Sequence, residues 1–139
     1  PEIRIDGGLV KLIAGETAIN GQSATGAVSG SSTAPIYADI QLEPAAKVSL
    51  NVPASHQGLL YLYEGDATLG QQPLQRSAAN ILADDDSITV KSGPTGARLL
   101  LIAGKPIGEP IVQYGPFVMN SREDIEQALQ DYRDGTLTA

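Results

Sequence analysis

The sequence contains no cysteine and no tryptophan, and it has one histidine, one phenylalanine and one methionine. The lack of cysteine excludes disulfide bonds, thiolate nucleophiles and Cys-ligated zinc. With one histidine and no Gly-x-Ser-x-Gly motif, the sequence gives no support to a catalytic triad. The chain therefore has few of the side chains on which nucleophilic or metal-dependent chemistry depends.

Positive charge is also scarce. The 9 lysines and arginines are dispersed singly, and the net charge is −7. Because phosphate neutralisation needs clustered cations, we expect no direct binding to nucleic acid, and the same argument disfavours anionic membrane surfaces. No apolar run approaches the roughly 18 residues of a membrane span, and the basic-then-apolar pattern of a secretion signal is absent. These features predict a cytoplasmic protein.

Glycine and proline, by contrast, are abundant, with 15 Gly and 9 Pro spread along 139 residues. This length suits one domain with one core. Turn residues between short apolar runs predict about eight to ten short strands, as in an all-β sandwich or barrel. The most apolar run, residues 99–103, is interpreted as a strand buried on both faces. In residues 36–42, apolar and polar side chains alternate, which indicates a half-buried strand.

Several stretches are interpreted from their turn residues. Residues 17–34, rich in Gly, Ser, Ala and Thr, are predicted to form a surface loop, since no Lys-Ser or Lys-Thr follows a glycine as a phosphate-binding loop requires. Residues 56–70 are predicted to form a strand, a tight turn at residues 64–66 and a short return strand. Residues 88–90 are predicted to be a separate strand, ended by a turn at residues 93–94.

Residues 72–82 are predicted to be a weak strand that contributes Leu74, Ile81 and Leu82 to the core. The three aspartates at residues 84–86 suggest a calcium site at first sight. However, they lack the alternating acidic positions, the glycine and the distal glutamate of a calcium loop, so we interpret them as a solvated turn.

The last predicted element is a helix over residues 121–134. Asn120 is predicted to be its N-cap, with Glu123 three residues later completing a capping box, and Gly135 is a natural stop. One face is apolar at helical spacing, with Ile125, Ala128, Leu129 and Tyr132.

A family resemblance lies in residues 104–120, Gly-Lys-Pro-Ile-Gly-Glu-Pro-Ile-Val-Gln-Tyr-Gly-Pro-Phe-Val-Met-Asn, which precede an acidic helix ending Asp-Tyr-Arg-Asp-Gly. This long, ungapped stretch resembles the C-terminal half of the pirin family, and residues 10–16 resemble the Val-x-x-Ile-Ala-Gly-Glu segment that opens that half. Pirins are bicupins, with two β-barrel domains in one chain. The resemblance therefore implies a single pirin C-terminal cupin domain over residues 1–139, an all-β jelly-roll barrel (double-stranded β-helix) with strands between about residues 3 and 119 and one C-terminal α-helix. A start at Pro1, with no Met, fits a piece of a longer protein.

Cupin enzymes bind a metal through His-x-His, a glutamate four or five residues later and a late histidine on another strand. These ligands converge inside the barrel because alternate residues of a strand face the same side. Whichever position His56 is given, the other places fall on residues that cannot bind a metal: Gly58 and Leu62, or Ala54 and Leu60 or Tyr61. We therefore predict no metal ligand, no catalytic residue and no cofactor in this chain, and a structural, hydrogen-bonded role for His56. The resemblance implies that iron belongs to an N-terminal cupin that this chain lacks.

Without ligands of its own, the chain is predicted to work by packing on that N-terminal cupin. The predicted contact surface is the strap, residues 114–119, with Tyr114, Pro116, Phe117 and Met119, together with the terminal helix. Two alternatives stay open. The chain is part of an iron-dependent quercetin 2,3-dioxygenase, the activity that the resemblance implies for the parent, and helps to form the substrate cavity; or it is an interaction module of a transcriptional co-regulator. A homo-oligomer and a regulatory protein partner are likewise left open.

Overall fold

The computed structural model describes residues 1–83 and 87–138. The chain divides into two compact units, Pro1–Pro106 and Ile107–Ala139, each of which is described by itself. The described residues contain twelve strands and one helix at the C-terminal end, so the predicted all-β class with a C-terminal helix is confirmed. A single domain over the whole chain stays a prediction.

The first unit is a single antiparallel sheet. Its strands are β1 (Glu2–Ile5), β2 (Gly8–Ala14), β3 (Glu16–Ile19), β4 (Gln22–Thr25), β5 (Ile36–Leu42), β6 (Lys47–Asn51), β7 (Gln57–Leu69), β8 (Gln72–Pro73), β9 (Ala79–Ile81) and β10 (Ser87–Gly104). They are arranged in the order β1-β2-β5-β10-β6-β3-β4, while β7 pairs with β10 and carries β8 and β9 on its other side.

The long strand β10 joins the parts of this sheet. Residues 97–103 lie between β5 on one side and β7 on the other, and residues 87–91 pair with β6. Gly65 of β7 and Gly96 of β10 have φ values of +76° and +80°, and the register between the two strands shifts on either side of them. A Cβ atom at Gly65 would collide with the carbonyl oxygen of Gly96. The two glycines therefore allow both strands to bend while they stay paired.

The core lies on the inward face of the sheet, where alternate residues of the strands meet. Residues 36–42 of β5 show the predicted alternation, with every second side chain buried and the others half-buried. Because burying one such aliphatic side chain stabilises the fold by about 1.5–3 kcal/mol, this face supplies much of the folding energy. The largest fully buried side chains are Leu12, Ile19, Ile36, Ile40, Leu50, Leu60, Leu62, Leu99, Leu101, Val10, Val48 and Val90.

The prediction of a plain loop over residues 17–34 is wrong in its first part. There β3 and β4 form a hairpin, and Ile19 is buried in the core. The turn is Asn20-Gly21, with φ values of +49° and +81°, which is the residue pair that a type I′ hairpin turn favours. Thr17 is also buried, and its hydroxyl donates to the carbonyl oxygen of Asn51 at 2.6 Å. The Asn-Gly signal is present in the sequence, but the surrounding Gly, Ser and Ala obscured it.

Two predicted turns are also wrong. No turn forms at residues 64–66, because β7 runs unbroken and Gly65 bends it without ending it. Residues 88–90 belong to the same strand as the apolar run, so residues 93–94 do not divide two strands. The turn predicted at residues 84–86 lies outside the described residues.

The described residues of the first unit do not bury residues 99–103 on both faces, contrary to the prediction. Leu99, Leu101 and Ala103 point inward and are buried. Leu100 is half-buried on the opposite face, and Ile102 there is 44% exposed. The run therefore belongs to a strand with a core on one side only.

The core residues predicted in residues 72–82 are partly right. Leu74 and Leu82 are half-buried and pack against the core. Ile81, however, is 73% exposed. It lies on β9, an edge strand that pairs with β7 alone, and its side chain is not turned toward the core.

The second unit consists of a hairpin and a helix. The hairpin pairs β11 (Val112–Tyr114) with β12 (Phe117–Met119), and the helix α1 spans Arg122–Asp134. The helix has contacts with both strands of the hairpin. No helix in the described part of the chain is long and apolar enough to cross a membrane.

The start of α1 differs by one residue from the prediction. Ser121, not Asn120, is the N-cap: its hydroxyl accepts from the backbone N–H of Asp124 at 3.1 Å, and the Asp124 carboxylate accepts from the backbone N–H of Ser121 at 3.0 Å. A capping box is therefore present, but Glu123 is not part of it. Gly135 ends the helix with a φ of +73°, as predicted.

The apolar face of α1 is shorter than predicted. Ile125 and Ala128 are buried and Leu129 is half-buried. Tyr132, one turn further on, is 69% exposed, so the buried part of this face ends at Leu129.

Candidate functional site

The inward positions of β7 are those where the cupin pattern would place metal ligands. Leu60 and Leu62 are fully buried there and pack into the core, and Gly58 precedes them on the same face. None of the three has a side chain that can bind a metal. This part of the barrel interior is therefore packed with aliphatic side chains.

His56 lies immediately before β7, at one end of the sheet. Its Nε2 atom is 2.8 Å from the carbonyl oxygen of Ala34, and its Nδ1 atom is 3.3 Å from the hydroxyl of Ser55. Since a carbonyl oxygen can only accept, Nε2 carries the proton and has no lone pair for a metal. His56 thus joins the segment before β5 to the segment before β7, which confirms the predicted hydrogen-bonded role.

His56 is one of the residues that line a cavity of about 320 Å³. Glu16, at the start of β3, also lines this cavity, so an imidazole and a carboxylate share its wall. Nowhere among residues 1–83 and 87–138 do three or more His, Asp or Glu side chains approach closely enough to hold a metal ion. The donors at this cavity therefore do not form a metal site of the cupin kind.

Sequence reasoning missed a polar group on the outward face of the sheet. The Tyr63 hydroxyl donates to Asp39 Oδ1 at 2.8 Å, and Gln41 Nε2 donates to Asp39 Oδ2 at 3.2 Å. Partial burial of the phenol, together with the hydrogen bond to and negative charge of Asp39, raises the pKa of Tyr63 from 10.0 to about 12. The alternation in β5 marks Asp39 and Gln41 as outward-facing, but nothing local indicates a partner 24 residues away.

Next to this group, the outward face becomes charged. Arg98 of β10 lies beside Glu64 of β7, with Nε 3.6 Å from Oε2, and both side chains are more than half exposed. A cavity of about 440 Å³ at this edge is lined by these two residues together with Arg4, Gln41 and Glu43. An exposed ion pair of this kind contributes little to stability, and the mixed charges select no particular ligand.

The structure brings the predicted contact residues of the strap together. Tyr114 lies opposite Phe117 in the hairpin register, and Met119 lies opposite Val112, so these four share one face of the hairpin. Tyr114 is 63% exposed, whereas Phe117 and Met119 are half-buried. Pro116 is exposed in the turn. The strap is thus partly apolar and accessible, and its role as an interface stays a prediction.

The curled antiparallel sheet and its apolar interior place this chain in the class of cupin β domains. Over its whole length it is similar to the crystal structure of a quercetin 2,3-dioxygenase from Acinetobacter baumannii, with a TM-score of 0.79 and 30% identity, covering 48% of that chain. A protein of known structure from Geobacillus kaustophilus has a TM-score of 0.64 and covers 79% of this chain at 22% identity, which supports the fold alone.

The chain belongs to the pirin family, because residues 37–138 match the family model of the Pirin C-terminal cupin domain. A Pseudomonas aeruginosa protein provisionally named a quercetin 2,3-dioxygenase is 45% identical over 99% of this chain and 49% of its own length. Human pirin is 37% identical over 73% of this chain and 37% of its own length. The predicted family and the predicted cupin fold are confirmed, and the chain spans half or less of these relatives.

Proposed function

We propose that this chain is the metal-free C-terminal half of a pirin-like bicupin, and that it packs on and completes a metal-bearing N-terminal cupin. The observation that carries the proposal is the apolar lining of β7 at the positions where cupin ligands belong, namely Leu60 and Leu62. Relatives about twice as long as this chain support it, because they have room for a second domain of similar size.

The iron that the family resemblance implies does not fit the residues of this chain. The one imidazole donates its Nε2 proton to a backbone carbonyl, and Glu16 is the acidic residue that shares its cavity. A catalytic metal in a cupin needs several imidazole and carboxylate ligands converging on one point. In this proposal the iron belongs to the N-terminal half.

The strap is the proposed contact surface in the second unit. Tyr114, Pro116, Phe117 and Met119 combine aromatic, sulfur and proline side chains with partial exposure. Aromatic residues and methionine are enriched at the cores of protein interfaces, where one apolar side chain fills a pocket of the partner. The turn at residues 115–116 fixes the spacing of these residues, so little conformational entropy is lost on binding.

The test measures metal content and association together. The chain is coexpressed with the remaining part of the P. aeruginosa relative, and the copurified complex is analysed by elemental analysis and size-exclusion chromatography. We expect iron in the complex, none in the chain alone, and about tenfold weaker association for Tyr114→Ser. Val28→Ser, at a position 56% exposed in the first unit, is the matched control and should leave association unchanged. Stoichiometric metal in the chain alone would overturn the proposal.

A second candidate is that this half contributes to the substrate cavity of a quercetin 2,3-dioxygenase. The names of the A. baumannii and P. aeruginosa relatives favour it. Flavonol consumption by the chain alone, by the remaining half and by the complex distinguishes the roles. Activity that needs both halves supports a shared cavity, whereas activity of the remaining half alone assigns this chain a packing role only. The cytoplasmic location and a regulatory partner stay predictions.

A further inference from the structure

An apolar patch covers part of the outward face of the first unit. We define the outer patch as Leu59 and Tyr61 of β7, Ile81 of β9, and Leu100 and Ile102 of β10. The strand register places Ile102 opposite Leu59 and Leu59 opposite Ile81, so these three form one continuous row across the strands. Leu100 lies opposite Tyr61 in the next row of the same face. The five side chains are therefore neighbours on the surface although they come from three strands.

The outer patch is unusually accessible for its composition. Ile81 is 73% exposed, Ile102 is 44% exposed and Tyr61 is 36% exposed, and the other two members are half-buried. A groove of about 490 Å³ lies at one end of the patch, where Leu59, Ile81 and Ile102 line it together with Gln57, Gly58, Leu82 and Ala103. Contiguous exposed apolar surface on a soluble domain marks a site of interaction.

Polarity changes in an ordered way across the same face. Asp39 of β5 lies opposite Leu100 of the patch and accepts the hydrogen bond from Tyr63, and the Arg98–Glu64 ion pair lies one row further along β10. An apolar centre bordered by polar and charged side chains is the usual anatomy of a protein interface. The polar rows thus form a rim at one side of the patch.

We propose that the outer patch is a docking surface for the second cupin domain of the same protein, and this inference rests on the function proposed above. The relatives provide the occupant, since more than half of the length of the P. aeruginosa protein lies outside the match to this chain. A domain tethered in the same polypeptide has a high effective concentration, so it covers a nearby apolar face before a free molecule does. The strap in the second unit is then not the only contact between the two cupins.

The sequence of β10 supports a permanently covered face. Residues 99–103 are apolar without interruption, which is typical of strands with both faces buried, yet the described residues of the first unit bury only the inward face. Permanent interfaces resemble a domain core more closely than transient ones do. A second copy of the chain is a poorer occupant, because each copy carries a net charge of −7 and two copies repel each other.

Ile81→Lys tests the docking surface with little risk to folding, because Ile81 lies on an edge strand and is mostly exposed. Ile102→Thr is the second variant and retains a β-branched side chain in the strand. Val28→Lys, at a similarly exposed aliphatic position outside the patch, is the matched control. Circular dichroism and thermal melts of each variant alone establish that all of them fold.

Each variant is coexpressed with the remaining part of the P. aeruginosa relative. We measure how much of that part copurifies with the variant, and how fast the amides of β7, β9 and β10 exchange hydrogen in the complex and in the chain alone. We expect slower exchange in the complex and about tenfold weaker retention for both patch variants, with no change for Val28→Lys. Retention that depends on Tyr114 but not on Ile81 or Ile102 overturns the docking surface and leaves the proposed function standing. No retention by the unaltered chain overturns both. A dimer of this chain that Ile81→Lys disrupts would assign the patch to a second copy and overturn the inference.

Discussion

The two faces of β7 and β10 have similar side chains and opposite surroundings. On the inward face, Leu62, Leu99 and Leu101 are fully buried in the core. On the outward face of the same strands, Leu100 is half-buried and Ile102 is 44% exposed. Leu101 and Ile102 are adjacent in the chain, so neither composition nor sequence neighbourhood explains the difference.

This comparison shows that the burial of a side chain in a sheet depends on whether other elements cover the face to which it points. The inward face is covered by other strands of the same unit, while the described residues of that unit leave the outward face half-buried or exposed. An apolar residue therefore contributes to folding on one face and is available for association on the other. The following predictions test this division, beginning with the largest expected effect.

Leu101→Ala and Ile102→Ala give the sharpest test. Removing the buried Leu101 side chain leaves a cavity and should lower the free energy of unfolding by about 2–5 kcal/mol. Removing the exposed Ile102 side chain should cost less than about 1 kcal/mol in the chain alone. Urea denaturation of both variants measures the difference. Equal losses would show that the outward face is covered within the chain itself.

Gly65→Ala tests the bend at which β7 and β10 change direction while they stay paired. The substitution combines a positive φ with a collision against the carbonyl of Gly96, and it should destabilise the unit by about 2–4 kcal/mol. Gly70→Ala is the matched control, since its φ is +58° but nothing lies within 4 Å of the added Cβ atom. It should cost only about 1 kcal/mol. Equal urea midpoints for the two variants would show that the close approach of Gly65 to the carbonyl of Gly96 does not limit stability.

Tyr63→Phe probes the polar rim of the outward face. Loss of the hydrogen bond to Asp39 should lower stability by about 1 kcal/mol at neutral pH. The folded-state pKa of about 12 lies above the ordinary tyrosine pKa of 10.0, so the stabilisation by this hydrogen bond is fully present below pH 10 and is lost as pH rises toward 12. Denaturation curves recorded between pH 8 and pH 12 should converge for the variant and the unaltered chain. If the difference in unfolding free energy between Tyr63→Phe and the unaltered chain stays constant with pH, the assigned pKa shift of Tyr63 is contradicted.

The smallest effect is expected for Arg98→Ala. Its partner Glu64 is 3.6 Å away and both side chains are exposed, so the pair should contribute about 0.5 kcal/mol or less. The loss should fall further as salt is added, because exposed charges are screened. A thermal melt at low and high ionic strength measures it, with Lys91→Ala on the same strand as the control. A loss of unfolding free energy above about 1 kcal/mol would contradict the description of Arg98 and Glu64 as an exposed, weakly stabilising ion pair.

Local signals predicted much of the fold. The alternation in residues 36–42 correctly identified β5, and the turn residues correctly indicated an all-β domain. The pattern of capping residues located the helix, but Asn120 and Ser121 are both good N-caps and only the backbone geometry distinguishes them. The missed β3–β4 hairpin shows the opposite error, since the Asn20-Gly21 turn was a valid local signal within a stretch of low-complexity composition.

The site was predicted less completely than the fold. Strand periodicity indicated that the possible ligand positions fall on residues that cannot bind a metal, but it left Leu60 and Tyr61 as alternatives. The structure places Leu60 and Leu62 on the inward face of β7 and Tyr61 on the outward face. The Asp39–Tyr63 hydrogen bond joins residues on two strands that both pair with β10, and the outer patch joins three strands. Such groups depend on register between distant segments, which no local pattern contains.

The sequence by itself determined the class of fold, the family, the terminal helix and the absence of imidazole pairs, because these follow from composition, short-range periodicity and a long matching segment. Only the tertiary structure decided that residues 57–69 and 87–104 are unbroken strands, and which side of each faces the core. The physical reason is that Gly65 and Gly96 bend paired strands without ending them, and that burial of Ile102 or Ile81 depends on long-range partners rather than on chain neighbours.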